Sequence, residues 1–499
     1  MQTIEHWVGG QTFAGSSNRH SSVFNPATGA EIARVSLAEP AVVDVAVATA
    51  RDAFTSWSEV SLSGRTKVLF KFREIVHSRV HELASIVSRE HGKILSDAQG
   101  EVERGLDVVE FACGVPSLLK GEYSDQVSSN VDLFSFRQPL GVIAGISPFN
   151  FPVMVPMWMH PIAIATGNCF ILKPSERVPS AAMMVAEMWS EAGLPDGVFN
   201  VVHGDKGSVD ALLANSDVDA VSFVGSTPVA QYIHTEATAQ GKRVQALGGA
   251  KNHAIVLPDA DPDFASNQLA SAAFGSAGER CMSISAAVAV GSSADRLVEC
   301  LIDRAKSIRV GPGDDPTSEM GPVISSEAQN RIEDYIASSS LQGALVAADG
   351  RGIEVPGHED GFFVGPTVVD RVATTMDVYV NEVFGPVLSV IRVDTVDEAI
   401  GVLNANQYGN GAAVFTESGS AARRFMREVE VGMVGINVPI PVPMAYYSFG
   451  GWKNSNFSEL NIHGPEGVEF YTRGKVVTAR WARNDDAPWM TSFDMPTAN

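Results

Sequence analysis

Helical spacing of apolar residues dominates the early part of the chain. Residues 42–57, 65–91 and 96–111 repeat apolar side chains at three- and four-residue intervals, which predicts three amphipathic helices. From Gly141 the pattern changes. Short unbroken apolar runs, ending near Gly, Pro or Ser, occur at 142–146, 169–172, 198–202 and 220–224. Four or five apolar residues without polar alternation fit a strand covered on both faces, as in a parallel sheet. Helical segments at 181–192 and 206–214 lie between these runs. A second series follows Lys251, with apolar runs at 254–257, 286–290, 387–390 and 411–415. Strands alternating with helices predict a doubly wound α/β architecture in two domains. The stretch from Asp485, with Pro488, Pro496 and few large apolar residues, reads as an extended tail.

Composition narrows this picture without redirecting it. The 499 residues exceed what one core organises, in keeping with two or three domains. With 45% hydrophobic and 19% charged residues the chain is an ordinary globular protein. There is no apolar run of about 18 residues to span a membrane. The N-terminus has no basic region followed by an apolar one, so a cytoplasmic location is expected. Four scattered cysteines fit a reducing compartment. A net charge of −22 argues against nucleic acid or an anionic membrane as partner. No metal is expected.

One cysteine stands apart. Cys281 closes the run Phe274-Gly-Ser-Ala-Gly-Glu-Arg-Cys281, in which Arg280 would favour the attacking thiolate and two glycines leave room for close approach. Cys113, Cys169 and Cys300 sit in apolar surroundings and read as small core residues.

Two strand-end motifs suit a nucleotide, although no Gly-x-Gly-x-x-Gly occurs. Lys173-Pro-Ser-Glu176 follows a predicted strand, where a cation, a hydroxyl and a carboxylate would meet ribose hydroxyls. Phe223-Val-Gly-Ser-Thr227 ends a strand and opens a helix at Pro228, placing N–H groups and hydroxyls where a pyrophosphate binds. Taken singly, Lys173 is as well read as a solvated strand-end lysine, and Ser226 or Thr227 as an ordinary helix cap.

Five motifs in order, Ser147-Pro-Phe-Asn-Phe-Pro152, Leu172-Lys-Pro-Ser-Glu176, Phe223-Val-Gly-Ser226, Gly278-Glu-Arg-Cys281 and Glu382-Val-Phe-Gly-Pro386, resemble the aldehyde dehydrogenase superfamily over nearly the whole chain. Within it, Ala250-Lys-Asn-His253, Arg280-Cys-Met282 and Asn437-Val-Pro-Ile-Pro-Val-Pro443 look most like the CoA-acylating methylmalonate-semialdehyde dehydrogenase branch. The resemblance implies a Rossmann-type NAD-binding domain at 1–123 and 139–249, a catalytic domain at 250–459, oligomerisation strands at 124–138 and 460–485, a tail at 486–499, and a homotetramer.

The same resemblance assigns roles. Cys281 is implied to attack the aldehyde and carry a thioester after hydride passes to NAD, with the Asn150 amide and the Cys281 N–H holding the oxyanion. Ser147, Phe149, Lys173, Ser175, Glu176, Gly225, Ser226, Glu382 and Phe384 are implied to bind NAD. Without the motif, Asn150 would read as a turn residue beside Pro152.

One departure matters. Hydrolytic relatives carry a glutamate four residues before the position of Lys251, where it activates water; here that residue is Leu247. A leucine moves no proton, so the acyl group is expected to pass to coenzyme A. Glu279 is the alternative base. Arg104 and Arg280 stand where the closest branch binds the carboxylate of a small semialdehyde substrate. On spacing alone, Arg104 reads as a helix ion pair with Glu101 or Asp107. Decarboxylation to propionyl- or acetyl-CoA is then implied. A hydrolytic dehydrogenase for another carboxy-aldehyde and a non-catalytic relative remain the alternatives.

Overall fold

The structure, a computed structural model, describes residues 2–481 apart from Ser16 and Ser129. The predicted tail at 486–499 lies outside the described residues.

Two seven-stranded sheets organise the molecule. The first runs Arg243–Leu247, Val218–Val224, Val142–Ile146, Cys169–Lys173, Phe199–Val201, His6–Val8, Gln11–Phe13. Its first five strands are parallel and the last two pair antiparallel. The second runs Leu345–Ala348, Thr367–Asp370, Val387–Val393, Ile284–Val290, Asn252–Val256, Gly411–Phe415, Met433–Ile436, parallel except at its first pair. Every apolar run read from the sequence is a strand, and most are central ones, covered on both faces. Strands at the sheet margins were not predicted. Arg243–Leu247, for instance, opens with Arg243, Val244 and Gln245, a mixed pattern that an edge tolerates.

The helix expected over 65–91 is two, Leu62–Ser78 and Val80–His91. The chain breaks at Arg79, which leaves helical geometry at φ −118°, ψ 21°. Buried Val76 and Leu83 lie seven residues apart on either side, so the apolar period continues through the break and conceals it.

Tyr123–Ser128, Val131–Pro139 and Thr472–Arg480 form a separate antiparallel sheet, with Thr472 opposite Pro139 and Arg480 opposite Val131. It exposes Tyr123, Val127 and Val476. The carboxyl ends of the first sheet's strands face loops of the second, and the crevice between them is where a doubly wound fold binds ligands.

Candidate active site

A cavity of about 900 Å³ opens in that crevice. Ser147, Phe149, Asn150, Lys173, Ser175, Glu176, Gly225, Ser226, Cys281, Glu382 and Phe384 all line it. Arg104 and Arg280 do not belong to its wall.

The outer wall fits a dinucleotide. Lys173 ends a central strand with its ammonium 3.2 Å from the Glu176 carboxylate, and Ser175 stands between them in sequence. The buried Ser147 hydroxyl lines the cavity and has no protein partner, as a group awaiting a ligand would. Ser226 caps the helix Thr227–Ala239 by backbone alone, leaving its hydroxyl uncommitted to the cap at the positive helix end. The Thr227 hydroxyl is committed, accepting from the Gly249 N–H at 2.9 Å. Gly225 packs so closely on Phe223 that a Cβ there would come within 2.4 Å of the ring. On the opposite wall the Glu382 carboxylate accepts from the Ala250 N–H at 3.1 Å, and burial pushes its pKa up to about 7. Lys251 donates to the carbonyls of Val378 and Asn381, pinning the loop that carries Glu382. Phe384 meets Phe149 edge to face at 5.9 Å.

Cys281 lines the same cavity and is partly exposed. It follows a left-handed turn: Ser276 and Ala277 have φ of 53° and 51°, and Gly278 has 72°. A Cβ on Gly278 would lie 2.1 Å from the Gly385 carbonyl, so that position requires glycine. The Cys281 carbonyl accepts from the side-chain amides of Asn252 at 2.9 Å and Asn410 at 3.1 Å. These bonds fix the backbone at Cys281. Asn150 is buried, and its Nδ2 donates to the Glu279 carbonyl at 3.0 Å. That single bond ties the asparagine to the loop of the nucleophile. A cysteine thiol and a fixed amide lining one nucleotide-sized cavity suit addition of the thiol to a carbonyl carbon, which on an aldehyde needs a hydride acceptor to reach the acyl level.

The aldehyde dehydrogenase family profile matches residues 13–477. A malonate-semialdehyde dehydrogenase of Pseudomonas aeruginosa is 52% identical over 96% of this chain and 97% of its own. The methylmalonate-semialdehyde dehydrogenase of Oceanimonas doudoroffii superposes with a TM-score of 0.95 at 52% identity, over 97% of this chain and 99% of its own. A Sinorhizobium meliloti protein provisionally described as a methylmalonate-semialdehyde dehydrogenase and complexed with NAD superposes at 0.96, with 49% identity over 97% of this chain and 99% of that one. The chain belongs to the aldehyde dehydrogenase family.

In this aldehyde dehydrogenase Leu247 ends its strand buried, with its carbonyl taken by the Gly225 N–H at 3.1 Å. Glu279, the alternative base, is sealed from solvent; its carboxyl accepts from the Ile324 N–H at 3.3 Å. Burial pushes it up to about 8, which favours its protonated form at neutral pH, and it does not line the cavity.

The two arginines are engaged elsewhere. Arg280 pairs with Asp97 at 2.8 Å. Arg104 lies 3.4 Å from Asp107 and 3.3 Å from the Met444 sulfur, half exposed. Both Asp97 and Arg104 belong to the helix Leu95–Cys113, seven residues apart and so on one face.

Lys93, Asp97, Asn252 and Asn410 escaped the sequence reading, and Glu101, expected on spacing as a partner of Arg104, pairs with Lys93 at 2.7 Å instead. Asn252 belongs to the Ala250-Lys-Asn-His253 motif, which by itself gives it no role. Lys93 follows Gly92, whose left-handed φ of 93° caps the helix Val80–His91, and there it reads as a routine C-terminal cation.

Proposed function

We propose that this protein is an NAD-dependent, CoA-acylating semialdehyde dehydrogenase. It would convert methylmalonate semialdehyde and malonate semialdehyde to propionyl-CoA and acetyl-CoA. The observation that carries the reading is Leu247 at the water-activating position of the sequence, together with an intact Cys281 and Asn150 that line one cavity. The malonate-semialdehyde dehydrogenase relative at 52% identity supports the substrate.

Cys281, as thiolate, forms a C–S bond to the aldehyde carbon while the carbonyl electron pair moves onto oxygen. The Asn150 amide and the Cys281 N–H donate to that oxygen as its charge develops. NAD, when bound, supplies the acceptor for the hydride that leaves the aldehyde carbon. Ser147, Lys173, Ser175, Glu176, Gly225 and Ser226 would hold its nucleotide end, and Phe149, Glu382 and Phe384 its nicotinamide end. Cys281 is left carrying a thioester. Arg104 and Arg280 would hold the substrate carboxylate, Arg280 exchanging Asp97 for it. Breaking the bond to that carboxylate releases CO₂ and leaves its electron pair as an enolate, whose oxygen meets the same two donors until the α-carbon takes a proton from solvent to give the propionyl or acetyl thioester. The coenzyme A thiol then attacks the thioester carbon, and the Cys281 sulfur leaves. Leu247 offers water no base at this stage, whereas a thiol needs less help near neutral pH.

We further propose a homotetramer in which the sheet containing Val131–Pro139 and Thr472–Arg480 joins subunits. Its exposed Tyr123 and Val476 support that role. The two seven-stranded sheets support separate NAD-binding and catalytic domains divided near residue 250. Unpaired thiols support a reducing, cytoplasmic setting.

The test is NADH formation from malonate semialdehyde with and without coenzyme A, with the acyl product identified by mass. Acetyl-CoA formed in step with NADH is expected; malonate or acetate formed equally fast without coenzyme A would overturn the assignment.

A further inference from the structure

We infer that the buried Lys93–Glu101 ion pair is a positioning device that sets the amide of Asn150 for the oxyanion. Lys93 is 1% exposed, and its ammonium lies 2.7 Å from the Glu101 carboxylate and 2.6 Å from the backbone carbonyl of Asn150. The other Glu101 oxygen accepts from the N–H groups of Val153 at 2.8 Å and Met154 at 3.2 Å. One ion pair therefore grips both ends of the segment from Asn150 to Met154. That segment turns the chain from the strand Val142–Ile146 into the helix Met154–Ala165. Lys93 also covers the Phe151 ring at 4.4 Å, closing the grip at its middle.

The pair is an expensive way to fill a core. Two charges withdrawn from water recover little net stability, and an apolar pair of the same volume often packs as well. What an apolar pair cannot do is hold three backbone groups of one turn by charge-assisted hydrogen bonds. Those bonds fix where the Asn150 side chain starts. Its Nδ2 carries two hydrogens, of which the Glu279 carbonyl takes one. The remaining hydrogen is aimed only as well as the backbone beneath it is held. A donor displaced by about 1 Å loses on the order of a hundredfold in rate.

The inference rests on the reading of Asn150 as an oxyanion donor, so both are tested together. The measurement is the rate of the single NADH burst from propanal and NAD without coenzyme A. Lys93→Met alone leaves Glu101 buried and unpaired and is prone to misfold, so the main variant is Lys93→Met with Glu101→Gln, which keeps the shape and both acceptor bonds. With Asn150 intact, this double variant should slow the burst by about tenfold to a hundredfold, with NAD affinity within about twofold of wild type. In an Asn150→Ala background the same double substitution should cost less than about twofold, because the group being positioned is gone. Equal losses in the two backgrounds would make the pair a general structural element and overturn the inference, as would an unchanged burst with Asn150 present. If Asn150→Ala alone bursts as fast as wild type, the oxyanion reading fails and takes the inference with it.

Discussion

Arg280 adjoins Cys281 in sequence yet turns its charge away from it, to Asp97, whose carboxylate lies 2.8 Å from the guanidinium. The guanidinium folds over Gly275, where a Cβ would come within 2.5 Å of it. The second Asp97 oxygen accepts from the Ser276 N–H at 3.1 Å. Asp97 thus braces both ends of the left-handed turn that precedes the nucleophile, and Arg280 is part of that brace.

A consequence concerns the thiol. Burial first, then the nearby Glu382 charge, push the Cys281 pKa up to about 12, against smaller opposing effects from backbone N–H groups and Arg280. Only the thiolate is alkylated. In the free protein, iodoacetamide labelling of Cys281, followed by peptide mass mapping, should accelerate with each step from pH 7 to pH 9. A plateau already reached at pH 7 would mean that the cation governs the thiol after all.

Substrate charge can be separated from chemistry. Arg104→Leu should weaken turnover of malonate semialdehyde by about tenfold to a hundredfold while sparing propanal, since a lost charge-assisted pair costs about 1.5–3 kcal/mol. Arg280→Leu should damage both aldehydes, because it also loosens the brace to Asp97. Steady-state kcat/KM for the two substrates decides. Equal losses on both aldehydes for Arg104→Leu would leave that arginine as the partner of Asp107 alone.

Legibility followed burial. The apolar runs at 142–146 and 411–415 form central strands, and a strand covered on both faces announces itself by composition. Arg243–Leu247 has a full strand on one side and only a short loop contact at Asn456 on the other, so its polar residues blurred it. Site residues at strand ends were readable because they sit in motifs contiguous with those runs. Lys93 and Glu101 were not, since they reach Asn150 and Met154 from about fifty residues away in sequence, and a buried ion pair between a linker lysine and a helix glutamate leaves no local pattern.

The sealed carboxyl of Glu279 makes stability depend on pH. Its pKa is near 4.5 in an unfolded chain and is pushed up to about 8 by burial. The native state then holds a proton that the unfolded state has lost. The stabilisation is complete below pH 4.5 and disappears as pH rises through about 8. Buried His160, His203 and His253, lowered by burial from 6.5 to about 3, act in the opposite sense but only below pH 6.5. Between pH 7 and about pH 8, below the range in which Lys251, lowered by burial to about 8, acts in the opposite sense, the melting temperature should therefore fall. Glu279→Gln, neutral at every pH, should flatten that fall, leaving the share owed to Glu382 and Glu90, which burial pushes up to about 7. Parallel wild-type and variant curves in a thermal scan would contradict the assignment.

Leu247 bears the sharpest test. Without coenzyme A, about one equivalent of NADH per active site should appear quickly and then nearly stop, because the thioester on Cys281 meets no activated water. Adding coenzyme A should restore turnover. Leu247→Glu places a carboxyl where hydrolytic relatives carry one, and the CoA-free rate should rise if that group ionises. Leu247 is only 3% exposed, so burial would raise the new carboxyl's pKa and delay the gain to alkaline pH. The variant should therefore be compared at pH 7 and pH 9, where a growing advantage over wild type marks a working base. The wild-type trace decides the larger question: steady CoA-free turnover at the CoA-dependent rate would show that water reaches the thioester without help from position 247, and the acyl-transfer assignment would fall.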